Sequence, residues 1–226
     1  MIKAVIFDID DTLYNEIDFV KSGFMLVAEY FSKKYSKDLS EVYNNLLSLF
    51  KVSPKLVFNR LLKLYDIADD KEQENLVKMY REHTPKITLD ANVIELFGWL
   101  HENNYKIGIV SDGNYITQKN KCEALKLYNY IDYIVLTGKY GKEYFKPNKK
   151  PFELIANELF ININEMIYIG DNPKKDFYPS VYGIKTVRFY NKNGVYYNES
   201  YLDNVKEDYS INNLSDVKEI LKNFSN

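Results

Sequence analysis

The apolar run Ala4-Val5-Ile6-Phe7 stops abruptly at Asp8-Ile9-Asp10-Asp11-Thr12. A short apolar segment without alternation reads as a strand covered on both faces, as in a parallel sheet. Acids placed directly after such a strand stand at the mouth of the sheet. Asp8 and Asp10, two residues apart, repel each other there unless a cation or a shared proton intervenes. The placement suits a divalent metal and a nucleophile, so the chain is expected to gather strand ends into one polar mouth.

Three further runs have the same character: Lys106 to Val110, Met166 to Ile169 and Lys185 to Phe189, with Tyr133 to Leu136 as a weaker fifth. Helical patterns over Val93 to Asn103, Tyr115 to Leu125 and Pro151 to Leu159 lie between them. This alternation predicts an α/β fold with a doubly wound, mostly parallel, Rossmann-like sheet, whose sites collect at the carboxyl ends of the strands. A final amphipathic helix is expected over Leu214 to Phe224, with Ser215 as its cap.

The stretch 16–86 breaks the rhythm. It carries helical periodicity and no convincing strand, and it reads as three or four helices inserted after the first strand. Ser53-Pro54 is read as a helix start, with Ser as cap and Pro in the first turn. Asp69-Asp70 is read as another, because acids favour the positive end of the helix dipole. Thr84-Pro85 marks the return. The expected organisation is a catalytic core of residues 1–15 and 87–226 with a helical cap over 16–86.

Composition limits the partners. At 226 residues the chain fits one domain with a sizeable insertion, given roughly 100–200 residues per domain. With 46% hydrophobic residues it can bury a core without staples. A net charge of −2 from 30 basic and 32 acidic residues gives no general nucleic-acid surface. The tyrosines are scattered and form no basic, aromatic stripe for single strands. Cys122 stands alone, which excludes an intramolecular disulfide and fits a reducing compartment; it is read as a half-buried, inert thiol on a helix. No secretory signal is apparent, and no apolar run approaches the ~20 residues that span a bilayer. The expectation is a cytoplasmic protein with neither nucleic-acid nor membrane partners.

Each strong strand is followed by polar residues: Ser111-Asp112-Gly113-Asn114 after the second, and Gly170-Asp171-Asn172-Pro173-Lys174-Lys175-Asp176 after the fourth. Lys146-Pro147-Asn148 precedes a helix. Singly, each has an ordinary explanation as a turn or a solvated helix entry. Together and in this order they resemble the haloacid dehalogenase-like superfamily of phosphotransferases. Asp8, Asp10 and Thr12 match its Asp-x-Asp-x-Thr motif, Ser111 its second motif, Lys146 its lysine, and Asp171 with Asp176 its acidic loop. The resemblance covers the whole core, and the insertion falls where that family carries a type C1 cap.

The resemblance implies a phosphatase acting through an aspartyl-phosphate intermediate. Asp8 would be the nucleophile, ionised at neutral pH without help from a base. Mg²⁺ would be held by Asp8, the backbone carbonyl of Asp10 and Asp171, with water and phosphate completing its oxygen shell. Asp10 would protonate the leaving oxygen and then activate water. Ser111, the backbone N–H groups of Asp112 and Gly113, and Lys146 would hold the phosphoryl oxygens. Asp176 is expected to anchor Lys146 or a metal-bound water, and Thr12 to order the loop, while Asp11 is left to solvent. The cap is expected to close over the site and select a small phosphorylated metabolite, a phosphosugar ahead of a nucleoside monophosphate.

Two details narrow the class. Dehalogenases of this superfamily lack the second aspartate, so Asp10 favours phosphate over halide chemistry. Phosphomutases of the family usually carry Gly directly after that aspartate, where this chain has Asp11. A phosphomutase and a non-catalytic phospho-ligand binder are the alternatives. Thr137 to Phe145 is read as an extended loop. His83 and His101 are read as helix-end residues, Trp99 as core with Leu96 and Leu100, and Phe19, Phe24 and Tyr30 as packing within the insertion.

Overall fold

In the computed structural model, which describes residues 1–224, six strands form a single sheet. They are β1 (Ala4–Phe7), β2 (Lys106–Ser111), β3 (Tyr133–Leu136), β4 (Met166–Gly170), β5 (Lys185–Phe189) and β6 (Tyr209–Ile211). Their order is β3-β2-β1-β4-β5-β6, and every neighbouring pair is parallel. The expected α/β, doubly wound sheet is therefore present. β1 lies at its centre, with Phe7 opposite both Ile109 and Ile169. The chain runs outward from β1 to one edge and then returns to build the other. Such a reversal opens a crevice at the strand ends beside β1.

The lack of alternation in these strands has its reason in the two covered faces. Ala4, Ile6, Val110, Val135, Met166 and Tyr168 point to one side and pack with Phe152 and Ile155 of helix α7 (Lys150–Glu158) and with Leu159 at its carboxyl-terminal cap. On the other, the ring of Phe7 meets Phe97 of α5 (Ala91–Glu102) edge to face, with centroids 5.7 Å apart. The sixth strand was not legible in the sequence. Tyr-Ser-Ile is three residues long and forms the sheet edge, too short to show a pattern.

The chain divides into two compact units, Met1–Glu16 with Thr88–Asn226, and Ile17–Ile87. The second consists of helices α1 (Glu16–Tyr35, all but its first residue), α2 (Leu39–Val52), α3 (Val57–Leu64) and α4 (Asp70–Glu82). Phe24, Val27, Phe31, Val42, Leu46, Phe58, Leu61 and Leu76 build its own core. Asp69 caps α4 by accepting from the Glu72 N–H at 3.1 Å. Phe19 and Phe24 pack on the ring of Tyr80, and the Tyr30 hydroxyl donates to buried Glu72. His83 is the carboxyl-terminal cap of α4.

Several local expectations need correction. Ser53 does not start a helix; it ends α2, its N–H donating to the Leu49 carbonyl, and α3 begins only at Val57 after a left-handed Leu56. The guanidinium of Arg60 binds the carbonyls of Ser53 and Lys55, which holds the intervening turn open. At the carboxyl end, Asn213 rather than Ser215 is the cap, accepting from the Ser215 N–H. The helix there is a short 3-10 turn, Leu214–Asp216, followed by α8 (Val217–Lys222). Trp99 is half-buried and stacks on Tyr105 instead of entering the core. Cys122 is fully buried, and that burial pushes its thiol up to about 12. Among the described residues, no helix is long and apolar enough to cross a membrane.

Candidate active site

The parallel ladder continues one residue beyond β1, because the Asp8 N–H donates to the Ile169 carbonyl at 2.9 Å. That bond fixes Asp8 beside the end of β4, where Gly170 leads into Asp171. The glycine is required at this point: a Cβ on Gly170 would collide with the Asp176 carboxylate. The loop after β4 thereby folds Asp176 back over the strand end, and its Oδ2 accepts from the Asn172 N–H at 3.0 Å. One carboxylate oxygen from each of Asp8, Asp171 and Asp176 lies within 4.8 Å of the others, and all three residues are buried.

Lys146 enters this cluster with a fully buried ammonium. Its Nζ is 2.8 Å from Asp176 Oδ1 and 3.0 Å from Asp8 Oδ2, and it donates to the Tyr168 hydroxyl at 2.6 Å. Burial works against its charge, but Asp176 and Asp8 outweigh it and hold the group well above the ordinary lysine range. One ammonium shared among three carboxylates leaves the cluster short of positive charge. Burial is the largest cause of the result: it pushes Asp8 up to about 6, with Lys146 pulling down and Asp176 pushing up. It pushes Asp171 up to about 9, reinforced by Asp176 and Asp8.

The oxygens are not equally engaged. Asp176 is spoken for by Lys146 and Asn172, and Asp8 Oδ1 accepts from the Ile9 N–H. Asp171 Oδ2 is buried and has no hydrogen-bond partner among the described residues. An orphaned carboxylate oxygen inside an all-oxygen cluster with excess negative charge fits a hard divalent cation. Of the expected ligands, Asp8 and Asp171 stand in the cluster. The Asp10 carboxylate does not, and the third member is Asp176.

Asp10 lies in a different environment. Its Oδ1 accepts from the Tyr14 hydroxyl at 2.6 Å and faces Lys121 Nζ at 2.6 Å, while Gln118 Nε2 donates to Oδ2 at 2.9 Å. Burial opposes ionisation here too, yet Lys121 and the hydrogen bonds prevail, and the carboxyl is held below its ordinary value. Gln118 also reaches Ser111 Oγ at 2.7 Å and the Asp112 carbonyl at 3.0 Å, so the second motif and Asp10 share a partner.

Asp112 and Gly113 complete the turn after β2, with Gly113 at φ 140°. The Asp112 carboxylate is an internal anchor: it accepts from Thr137 Oγ1 and the Lys146 N–H, and pairs with Lys175. Only its backbone is left to meet a ligand. The segment Thr137 to Phe145, expected as an extended loop, contains two tight turns, Thr137–Lys139 and Lys142–Tyr144, and Thr137 ties it to Asp112.

The part expected of Thr12 falls to Asp11. Thr12 is buried, but its hydroxyl has no hydrogen-bond partner among the described residues. Asp11, expected in solvent, is buried at φ 51°. Its two oxygens accept from the Glu16 and Val195 N–H groups at 2.9 Å each, and its carbonyl accepts from Asn191 Nδ2. A left-handed aspartate with both oxygens occupied orders this loop.

Sequence reading also passed over Tyr14, Gln118, Lys121 and Tyr168. One signal was available. Helix α6 (Tyr115–Ala124) has no apolar stripe, and its buried residues Thr117, Gln118, Lys121 and Cys122 are mostly polar. A helix that turns such a face inward must meet a polar site. Tyr168 gave no signal, being one more aromatic in an apolar strand.

A family model described as haloacid dehalogenase-like hydrolase matches residues 5–189. A glyceraldehyde 3-phosphate phosphatase of Methanocaldococcus jannaschii is 25% identical, over 99% of this chain and 98% of that protein. The pyrophosphatase PpaX of Halalkalibacterium halodurans is 29% identical, over 97% of each. Among solved structures, a HAD phosphatase from Thermococcus onnurineus superposes with a TM-score of 0.63 at 24% identity, covering 97% of this chain and 98% of that one.

Proposed function

The chain belongs to the haloacid dehalogenase-like hydrolase family, and from that premise we propose that it is a Mg²⁺-dependent phosphatase of small phosphorylated metabolites. The observation that carries the proposal is the buried cluster of Asp8, Asp171 and Asp176 around Lys146, with Asp10 two residues beyond the nucleophile and outside the cluster. Asp8 attacks phosphorus and forms an aspartyl-phosphate as the ester oxygen departs with a proton from Asp10. Asp10 then takes a proton from the water that hydrolyses the intermediate. Lys146, Ser111 and the backbone of Asp112 and Gly113 hold the phosphoryl oxygens. Asp176 orients Lys146.

Mg²⁺ would be held by the carboxylates of Asp8 and Asp171 and the carbonyl of Asp10. When bound, it screens the phosphate charge from the attacking carboxylate. Two similar proteins bear names of phosphatases with small substrates, a triose phosphate and pyrophosphate, which supports a small substrate and leans towards a phosphosugar. The cytoplasm is the proposed location, on the single free cysteine.

The test is phosphate release from a panel of phosphosugars and nucleoside monophosphates, with and without Mg²⁺. Free phosphate equal to substrate consumed is the expected result, and it distinguishes hydrolysis from a mutase, which returns the phosphoryl group to sugar. Release by Asp8→Asn at the wild-type rate would remove the proposal.

A further inference from the structure

Helix α6 starts directly on the turn after β2, where Asn114 caps it by accepting from the Thr117 N–H. Gln118 and Lys121 are three residues apart and so share a face. Both are buried, at 2% and 3% exposure. A buried lysine and amide are uncommon, and each needs a specific partner. Both find it in Asp10: Lys121 at Oδ1 and Gln118 at Oδ2. Gln118 Nε2 lies within hydrogen-bond reach of Asp10, Ser111 Oγ and the Asp112 carbonyl, while its NH₂ has two hydrogens to give. One side chain therefore bridges Asp10 and Ser111.

The role proposed above for Asp10 demands such control. A carboxyl group that protonates a departing oxygen must lie within hydrogen-bond reach of it, and a misplacement of about 1 Å can cost on the order of 10²-fold. An isolated bridge to Tyr14 ties the Asp10 backbone, but the carboxylate stands at the end of a rotatable side chain and needs contacts of its own. We propose that Gln118 and Lys121 are positioning residues that clamp the Asp10 carboxylate from both sides and fix it relative to the phosphate-holding Ser111. This rests on the reading of Asp10 as the proton-transfer group. The clamp holds the ionised form that Asp10 becomes as its proton passes to the ester oxygen, while the Asp8–phosphorus bond forms and the bond from phosphorus to the ester oxygen breaks. Water then attacks phosphorus, the Asp8–phosphorus bond breaks, and a proton from that water returns to Asp10.

The clamp predicts a dependence on the leaving group that a purely structural lysine would not produce. Nitrophenolate departs without a proton, whereas phenolate gains far more from one. kcat/KM reports the step in which the alcohol or phenol leaves. In Lys121→Met, kcat/KM for phenyl phosphate is expected to fall about tenfold further than for p-nitrophenyl phosphate, a part of the 10²–10⁴-fold that acid catalysis supplies. Gln118→Met should move the ratio in the same direction and also raise KM, since it releases Ser111. Turnover of p-nitrophenyl phosphate serves as the check that each variant is folded, and Lys121→Arg, which keeps the charge, should restore part of the ratio.

Equal losses on both esters in Lys121→Met and Gln118→Met would overturn the clamp, as would a rise in KM alone for Lys121→Met, which would make it a phosphate contact. Asp10→Asn separates the two levels. If it raises the ratio and the clamp variants do not, the clamp alone is wrong. If Asp10→Asn leaves the ratio unchanged, the assignment of Asp10 itself is wrong and the clamp has nothing to position.

Discussion

Two carboxylates on one loop, two residues apart, live in opposite electrostatic surroundings. Asp8 shares the buried Lys146 ammonium with Asp176, beside an Asp171 whose Oδ2 has no hydrogen-bond partner among the described residues, and burial raises both Asp8 and Asp171 above the ordinary carboxylate range. Asp10 faces a hydroxyl, an amide and an ammonium, and is held below that range. The first region is incomplete without another cation, while the second is already satisfied by its own side chains. The lesson is that spacing in sequence does not make two acids a pair. Strand geometry directs one towards β4 and the other towards α6, which in the proposed mechanism separates attack from proton handling.

Substitutions at the two aspartates strain this contrast most. Asp8→Asn removes the proposed nucleophile and is expected to lower phosphate release by on the order of 10⁴-fold or more for any leaving group. Asp10→Asn should cost about 10²–10⁴-fold on unactivated esters and much less on p-nitrophenyl phosphate. Steady-state kinetics on two esters reads both, and identical profiles for the two variants would erase the division of labour.

Stability tests sharpen the comparison further. Asp176→Asn leaves Lys146 buried with Asp8 as its remaining ion-pair partner in the cluster and should destabilise the fold by about 3 kcal/mol in urea unfolding. Asp11→Ala strips the acceptor from the Glu16 and Val195 N–H groups and should cost about 1–3 kcal/mol. An unchanged midpoint in either would mean the loop is held by other contacts.

The smallest effect is the pH slope of the metal-free protein. Asp171 binds its proton more tightly folded than unfolded, so its contribution is fully present below the ordinary aspartate range and is lost as pH rises towards about 9. Thermal unfolding at a series of pH values should show a part of that slope vanish in Asp171→Asn. A slope that persists intact would place the pH dependence elsewhere.

What was legible in the sequence follows from what side chains repeat. Strands covered on both faces advertise themselves as apolar runs, so β1, β2, β3, β4 and β5 were readable and three-residue β6 was not. Asp8, Asp171 and Lys146 were legible because each directly follows a strand or precedes a helix in a recognisable order. Gln118 and Lys121 were missed because a polar helix face looks solvated until the fold turns it inward. Asp11 was misread because its role depends on a left-handed backbone and on Val195, 184 residues away, neither of which a local pattern encodes. The Ser53-Pro54 error has the same origin, since Arg60 decides that turn from the next helix.

Calorimetric titration of the metal-free protein with Mg²⁺ at neutral pH, in two buffers of different ionisation enthalpy, bears most directly on the contrast between the two aspartates. The incomplete Asp8–Asp171 region predicts one site, with a proton released on binding because Asp171 holds one beforehand. It predicts loss of both binding and proton release in Asp171→Asn, with binding retained in Lys121→Met. Mg²⁺ binding of equal strength in wild type and Asp171→Asn, or no binding to the wild type, would contradict it.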